Sequence, residues 1–307
     1  MNTSHLLQVA YQRLDSGHFD GAIDSLRQLL ADDPECSEAH ALLALCLMNM
    51  RRLHAARHEA ALALAMDPAL PLAHYAAAHT AMASRQFKIA EQHLLQLLDM
   101  EPTDPRYYRS LADLFQLTGR LSQSQPLLEK ALELEPDAAA NLVAMAEYHL
   151  ACGHWEQAEG FARQALQADP GHAAAVIVLG RLRLREGDVN GAREHAIWAL
   201  QENANNVSAL SLLTAVKARS NLFMGFWWRF NSWLTERSTT RAIILLLAMF
   251  VVYRVTVITV TAQGYPGAAE VIDWLWLGFV LYTFTAPQIF KRAMEKELTQ
   301  VKLSREF

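Results

Sequence analysis

Cysteine is scarce in this chain of 307 residues, and its three copies, Cys36, Cys46 and Cys152, have neither metal-ligand nor redox spacing. Disulfide-rich folds, zinc ribbons and Cys-x-x-Cys redox sites all need paired cysteines. We therefore interpret the three residues as small packing side chains in a reducing compartment. Charged residues are also few, at 19%, against 52% apolar residues, which indicates more than an ordinary soluble domain.

The motifs of common enzymes are missing as well. The sequence has no Gly-rich phosphate loop, no Gly-x-Ser-x-Gly turn and no His-Glu-x-x-His helix. His54 and His58 stand four residues apart on one predicted helix face, but no third ligand accompanies them, so a solvated outer face explains them better than a metal site. We expect no enzymatic activity, no cofactor and no metal. Nothing near Met1 resembles a secretory signal peptide.

What the sequence does contain is a proline repeated at an interval of 34 residues: Pro34, Pro68, Pro102, Pro136 and Pro170. An acidic residue precedes each proline and closes an apolar run, so each proline marks the end of a helix. A period of this length predicts an array of repeated units. The next interval of 34 residues ends at Ala204, which takes the place of the proline at the end of a sixth unit.

Small residues recur in register with these prolines. The residue 24 positions earlier is small in all six units: Ala10, Ala44, Ala78, Ala112, Ala146 and Gly180. A second such column holds Ala22, Ala56, Ala90, Ser124, Ala158 and Ala192. Small side chains let helix backbones pack closely, which predicts two helices in each unit. Glycines mark the turn between them, except that Arg51 and Arg85 occupy this position in the second and third units.

These columns resemble the tetratricopeptide repeat, whose signature is a small residue in the first helix (helix A), alanines in the second (helix B) and a closing proline. The resemblance covers residues 3–206. It implies an all-α fold, a right-handed superhelical solenoid of about six helix-turn-helix repeats, and a general tendency to bind proteins. Pro126 departs from the pattern, but it lies about one turn into the fourth helix B, where we expect a distorted start rather than a broken unit.

Charge divides the chain into two parts. Residues 1–206 hold 16 Lys and Arg against 26 Asp and Glu, a net charge of −10, whereas residues 207–307 hold 11 against 6, a net charge of +5. An acidic array argues against nucleic acid as a partner, because phosphates are neutralised by clustered Lys and Arg.

The basic part contains two long apolar stretches, 242–262 and 271–290, joined by the short loop 263–270. A helix of about 20 residues spans a hydrocarbon core of about 30 Å, so the pattern predicts a two-helix transmembrane hairpin; two buried helices of a soluble cap are the alternative. Lys and Arg flank the hairpin and are absent from its loop. This predicts a periplasmic loop, with the array and the tail 291–307 on the cytoplasmic side of a bacterial inner membrane.

Two segments lie between the array and the first span. Residues 207–220 are apolar at helical spacing and are expected to cap the last repeat. Residues 221–240 are rich in tryptophan, with Trp227, Trp228 and Trp233. Tryptophan prefers the headgroup layer, so we interpret this segment as an amphipathic interfacial helix; the alternative is a helix packed wholly on the cap.

The resemblance implies a concave groove lined by the A helices. Projected onto this sequence, the groove presents Tyr11, Leu45, Met48, Tyr75, His79, Arg106, Arg109, Asp113, Glu147, Arg181 and Arg185. Such a wall suits a peptide with a hydrophobic end and an acidic end, although a solvated wall without a ligand would hold similar residues. Family members that clamp a C-terminal carboxylate use Lys and Asn where this chain has Leu7, Tyr11 and Leu45, so that ligand class is not expected.

Arg254 lies in the middle of the first predicted span, and a charge there needs a partner or a water path. Asp273 and Glu270 are the candidate partners within the hairpin; contact with another membrane protein and snorkelling of the side chain are the alternatives. The sequence predicts a membrane-anchored scaffold that recruits a protein segment through its groove. The alternative function is a subunit or assembly factor of a membrane complex that acts mainly through the hairpin.

Overall fold

The structure is a computed structural model that describes residues 3–203, 206–220, 239–265, 267–268, 270–278, 280–281 and 285. Every secondary-structure element in these residues is a helix. Thirteen consecutive helices run up to Ser220, and one further named helix follows: α1 (Thr3–Asp15), α2 (Phe19–Asp32), α3 (Ser37–Asn49), α4 (Leu53–Met66), α5 (Pro71–Ala83), α6 (Phe87–Met100), α7 (Pro105–Leu117), α8 (Leu121–Leu134), α9 (Ala139–Cys152), α10 (Trp155–Ala168), α11 (Ala173–Glu186), α12 (Val189–Glu202), α13 (Val207–Ser220) and α14 (Thr239–Ala262).

The helices up to α12 form six pairs, and the same turn joins the two helices of each pair. In the second pair the backbone N–H of Arg51 donates to the Met48 carbonyl and that of Arg52 to the Leu47 carbonyl, each at 2.9 Å. This is the Schellman pattern of a helix C-terminus. The turn residues all have positive φ: Gly17 73°, Arg51 62°, Arg85 58°, Gly119 78°, Gly153 79° and Gly187 97°. Two arginines are thus held in a conformation that glycine adopts at the other four turns.

The residue before each repeated proline ends a helix B, as the sequence predicts. The residues Asp33, Asp67, Glu101, Glu135 and Asp169 have φ between −134° and −139°. Their backbone N–H groups still donate to the helix, for example from Asp33 to the Leu29 carbonyl at 2.8 Å. The extended backbone follows from the clash between a proline ring and a helical preceding residue. Pro126 leaves its unit intact, because α8 runs unbroken around it.

The small columns lie where neighbouring helices approach most closely. The alanines of the A-helix column, Ala10, Ala44, Ala78, Ala112 and Ala146, are all 0% exposed. Leucines such as Leu26, Leu94, Leu97 and Leu128 fill the space between the helices and are equally buried. The first five A helices thus pack on their own B helices, and α1, α3 and α7 also pack on the next A helix along the chain, α3, α5 and α9.

The chain divides into two compact units, Met1–Val178 and Leu179–Phe307. In the second unit, α13 packs closely on α11 at Gly180. A Cβ atom on Gly180 would lie 2.5 Å from Cδ2 of Leu212 and 3.0 Å from Cβ of His195. Leu212, Leu213 and Val216 of α13 are nearly or fully buried. Helix α13 thus covers an apolar face of this unit with the residues that the sequence predicts as a cap.

Helix α14 coincides with the first predicted membrane span, and helical residues 271–278 belong to the second. Within the described residues, the structure shows no helix with the length and apolar character needed to cross a membrane. The predicted transmembrane hairpin is therefore not found in this part of the chain. The predicted interfacial tryptophans Trp227, Trp228 and Trp233, and the tail 291–307, lie outside the described residues.

Candidate protein-binding groove

In the first unit, the A helices present a row of polar and aromatic side chains along one wall, the groove. Five of the residues predicted from the sequence come together at its centre, and we refer to them as the central groove cluster: Tyr75 and His79 on α5, Arg109 and Asp113 on α7, and Glu147 on α9. The cluster forms because residues about one helical turn apart face the same side, and because successive A helices lie next to each other.

Ser110 connects the helices α5 and α7 beneath this cluster. Its hydroxyl is buried and donates to the Arg106 carbonyl at 2.9 Å, so it accepts from Nε2 of His79 at 3.1 Å. The ring centroids of His79 and Tyr75 are 4.3 Å apart. Burial lowers the pKa of His79 to about 4. At neutral pH its imidazole is therefore uncharged, with the proton on Nε2.

Arg109 is the cation of the central groove cluster, and an asparagine positions it. Its Nη1 donates to Oδ1 of Asn141 on α9. Asn141 is 1% exposed, and its Nδ2 donates to the carbonyls of Ala131 and Glu135 at 2.8 and 2.9 Å. Burial lowers the pKa of Arg109. Among the described residues, Arg109 has no carboxylate within ion-pair distance, so its charge is balanced only by more distant groups.

Asp113 and Glu147 place two carboxylates on neighbouring A helices. Desolvation within the groove wall, followed by the negative charge of Glu147, raises the pKa of Asp113 to about 7, although Arg109 opposes the shift and part of the side chain still reaches solvent. The side chain of Asp113 is accessible to solvent and has no hydrogen-bond partner in the described part of the chain. The groove therefore holds a carboxyl group that changes charge near neutral pH.

Arg106 lies at the edge of the cluster and is already paired. Its guanidinium binds the Asp104 carboxylate, with Nη2 to Oδ2 at 2.5 Å and Nε to both oxygens at 2.9 and 3.0 Å. The pair lines an open cleft of about 760 Å³ together with Arg109 and Glu135. Arg109, rather than Arg106, is thus the arginine available to a ligand.

The first repeats contribute the apolar end of the groove only in part. Tyr11 is 38% exposed and lines an open cleft of about 570 Å³ with Asp15 and Glu38. Met48 is half-buried, and Leu45 is 6% exposed because it packs among alanines between α3 and α5. The side chain of Leu45 therefore contributes mainly to the core and exposes little surface to the groove. The acidic neighbours of Tyr11 also make this end less hydrophobic than the sequence predicts.

The remaining predicted residues lie in the second unit. Arg181 and Arg185 are on α11, where Arg181 is partly buried and Arg185 exposed.

The Asp273 carboxylate accepts a hydrogen bond from the Tyr253 hydroxyl at 2.6 Å, and the Tyr253 ring stacks on Trp276 with centroids 4.6 Å apart. Within the described residues, Arg254 and Asp273 form no direct ion pair. Arg254 lies next to the Tyr253 hydroxyl, so the tyrosine stands between Arg254 and the Asp273 carboxylate.

Ser110 and Asn141 are groove residues that the repeat pattern did not indicate. Both are polar residues of an A helix at buried positions. A buried polar side chain needs hydrogen-bond partners, and this requirement is the signal that could have identified them.

Comparison with known proteins agrees with this architecture. Two family models described as "Tetratricopeptide repeat" match residues 10–71 and 75–139, and residues 139–182. Together these matches cover more than half of the chain. A search of curated proteins finds no match.

Solved structures share the fold at low sequence identity. A thermophilic TPR protein from Thermus thermophilus is 20% identical, with a TM-score of 0.53 over 61% of this chain and 97% of that one. PilW, described as a widely conserved type IV pilus biogenesis factor, is 15% identical, with a TM-score of 0.51 over 70% of this chain and 100% of that one.

The APC/C hetero-tetramer Cut9-Hcn1 gives a TM-score of 0.60 at 14% identity, over 94% of this chain and 55% of that one. At these identities the likeness shows the fold alone. The family models, the six helix pairs and the recurring turn together lead to one conclusion: this chain belongs to the tetratricopeptide repeat family.

Proposed function

We propose that the protein is a non-enzymatic scaffold whose groove binds a segment of another protein. The repeats and the family support protein–protein interaction in general. The central groove cluster is the observation that carries the proposal, because on the helices α5 and α7 it combines an aromatic ring, a cation without an adjacent carboxylate and an accessible carboxyl group. A bound segment would supply charges that this wall leaves unmatched.

The groove proposal is tested by placing a photo-crosslinking amino acid at Tyr75 in the full chain. The matched control places it at Gln92, an exposed residue of helix B α6. We expect a discrete crosslinked partner from Tyr75 only. The double variant Arg109→Ala, Asp113→Ala should reduce this product at least about tenfold, the loss expected for a binding hot spot. Equal crosslinking from Gln92, or a product unaffected by the double variant, would refute binding in the groove.

We further propose that the C-terminal apolar segments hold the array at the cytoplasmic face of a membrane. Two observations support attachment: the flanking Lys and Arg, and large apolar side chains exposed on α14 and on the segment after it, including Phe250, Val251, Val252, Val255, Ile258, Trp274, Leu275, Leu277 and Leu281. Exposed apolar surface of this extent marks contacts with lipid or with another protein.

Membrane attachment is tested by fractionating cells that express the full chain and a variant that ends at residue 220. We expect the full chain in the membrane fraction after alkaline carbonate extraction, and the shortened variant in the soluble fraction. Release of the full chain by carbonate would refute insertion into the bilayer.

A second function is favoured by one observation. Arg254 is exposed on α14 and makes no ion pair in the described residues, which suits a contact with a membrane protein whose assembly this chain assists. Under that proposal, replacing residues 239–290 with an unrelated membrane anchor abolishes function, whereas an adaptor acting through its groove tolerates the exchange.

A further inference from the structure

One position of the A helix ties each of three successive repeats to its preceding loop. Nε2 of His40 contacts the Pro34 carbonyl at 3.0 Å, Nε2 of His74 contacts the Pro68 carbonyl at 2.9 Å, and the Tyr108 hydroxyl donates to the Pro102 carbonyl at 2.9 Å. A carbonyl only accepts, so Nε2 of His74 carries a proton. In its neutral form, His74 therefore presents the lone pair of Nδ1.

The Nδ1 atom of each histidine faces the B helix of the same repeat. In the second repeat, Nδ1 of His40 lies 2.6 Å from Oε2 of Glu59, an ordinary pairing of a histidine with a carboxylate. In the third repeat the same position of helix B holds His93, and the two Nδ1 atoms of His74 and His93 are 3.0 Å apart. Two imidazole nitrogens that face each other at this distance share either a proton or a metal ion.

The separation is close to that of two nitrogens bound to one ion. With metal–nitrogen bonds of about 2.0–2.1 Å and tetrahedral angles, two ligand nitrogens lie about 3.3 Å apart, so a shift of a few tenths of an ångström would suffice. The Pro68 carbonyl orients the His74 ring through its far nitrogen, as carbonyls do for metal-binding histidines. Burial and the proximity of His74 lower the pKa of His93, which favours the neutral ring that a metal requires.

The pair is reachable from solvent through His93. His74 is 4% exposed, whereas His93 is half-buried and lines a cavity of about 160 Å³ between α4, α5 and α6. This volume accommodates water molecules that would complete the coordination of an ion. Within the described residues, no group of three or more His, Cys, Asp and Glu side chains converges, so the protein would supply two ligands.

We propose that His74 and His93 form an open two-histidine site for a divalent transition metal of the zinc, nickel or copper type. Imidazole suits these ions, whereas calcium and magnesium prefer oxygen ligands. The site lies between helices A and B of the third repeat and is separate from the groove residues. Arg57 lines the same cavity, and its positive charge opposes the binding of a cation.

The test is a titration of the full chain with Zn²⁺ in competition with a chromophoric chelator at neutral pH. We expect one saturable site whose affinity falls at least about tenfold in His93→Gln, since this change removes an imidazole but keeps a polar side chain. Arg57→Ala should strengthen binding. The matched control is His58→Ala on α4, which should leave the site unchanged because His54 and His58 are not part of it.

Circular dichroism of each variant establishes that the repeats remain folded. His74→Gln provides a second variant with the same expected loss of affinity, should His93→Gln unfold. The proposal is overturned if wild-type protein shows no saturable binding, if the folded histidine variants bind as the wild type does, or if the loss follows His58→Ala instead.

Discussion

The contact between α11 and α13 predicts an unusual response to the substitution Gly180→Ala. Alanine occupies this column in the other five repeats, and Gly to Ala inside a helix usually stabilises by about 1 kcal/mol. In this structure the added Cβ would lie 2.5 Å from Cδ2 of Leu212 and 3.0 Å from Cβ of His195. Overpacking of this kind costs about 1–3 kcal/mol. The packing cost exceeds the gain in helix propensity, so we expect a net destabilisation of about 1 kcal/mol.

A second substitution reverses the sign of this effect. Leu212→Ala removes the nearer of the two atoms that the new Cβ would meet. By itself this change costs about 2–5 kcal/mol, because the Leu212 side chain is 2% exposed. In the Leu212→Ala background, Gly180→Ala should therefore be neutral or stabilising by up to about 1 kcal/mol. The two changes are in contact, so their effects are not additive.

The assay is amide hydrogen exchange of α11 and α13 in the full chain, which gives the free energy of opening for this region. The four proteins of the double-mutant cycle are measured under identical conditions. Faster exchange in Gly180→Ala, and unchanged or slower exchange on adding it to Leu212→Ala, is the expected result. If Gly180→Ala slows exchange in the wild-type background, α13 does not pack on α11 as described.

Three further predictions concern the turns and the groove. Arg85→Gly should raise the free energy of unfolding by up to about 1 kcal/mol, because glycine adopts φ 58° without strain; a lower urea midpoint would contradict this. The folded-state pKa of Asp113 is raised to about 7, so folding takes up protons and the wild type loses stability as pH rises from about 4 to 7. Asp113→Asn should therefore be more stable than the wild type at pH 8 and show no advantage at pH 3.5. Equal thermal midpoints of the two proteins at pH 8 would refute the pKa shift. The folded-state pKa of His79 is lowered to about 4, so the wild type loses stability as pH falls from about 6.5 to 4. His79→Gln should lose less stability over this pH range. An identical dependence of stability on pH in the two proteins would contradict the prediction.

Periodicity in the sequence predicts much of the repeat architecture because it reflects backbone geometry. The 34-residue proline interval places the ends of the B helices, and the small columns identify the faces where helices meet. Arg51 and Arg85 depart from glycine at the turn, yet the turn is kept, because its two backbone hydrogen bonds do not depend on the side chain. The residue type at position 51 or 85 therefore predicts the turn less well than its position in the repeat does.

The polar contacts are less predictable because they join different helices through particular rotamers. Arg109 and Asn141 are 32 residues apart, and His74 and His93 are 19 apart. The repeat register places such residues on neighbouring helices but does not say which atoms meet. The same limit applies to Asp273. The sequence indicates Arg254 as its partner, whereas in the structure the neighbouring Tyr253 donates a hydrogen bond to it.

The close fit between Gly180 and Leu212 also determines where the array can grow. Helix α13 occupies the position where the next helix A of a longer array would pack. It packs there against Gly180, which has no side chain. An extra repeat inserted before α11 would keep this junction, whereas one inserted between α12 and α13 would place α13 against an alanine column that obstructs Leu212. Duplication of repeats during evolution would thus be tolerated ahead of the last unit and selected against behind it.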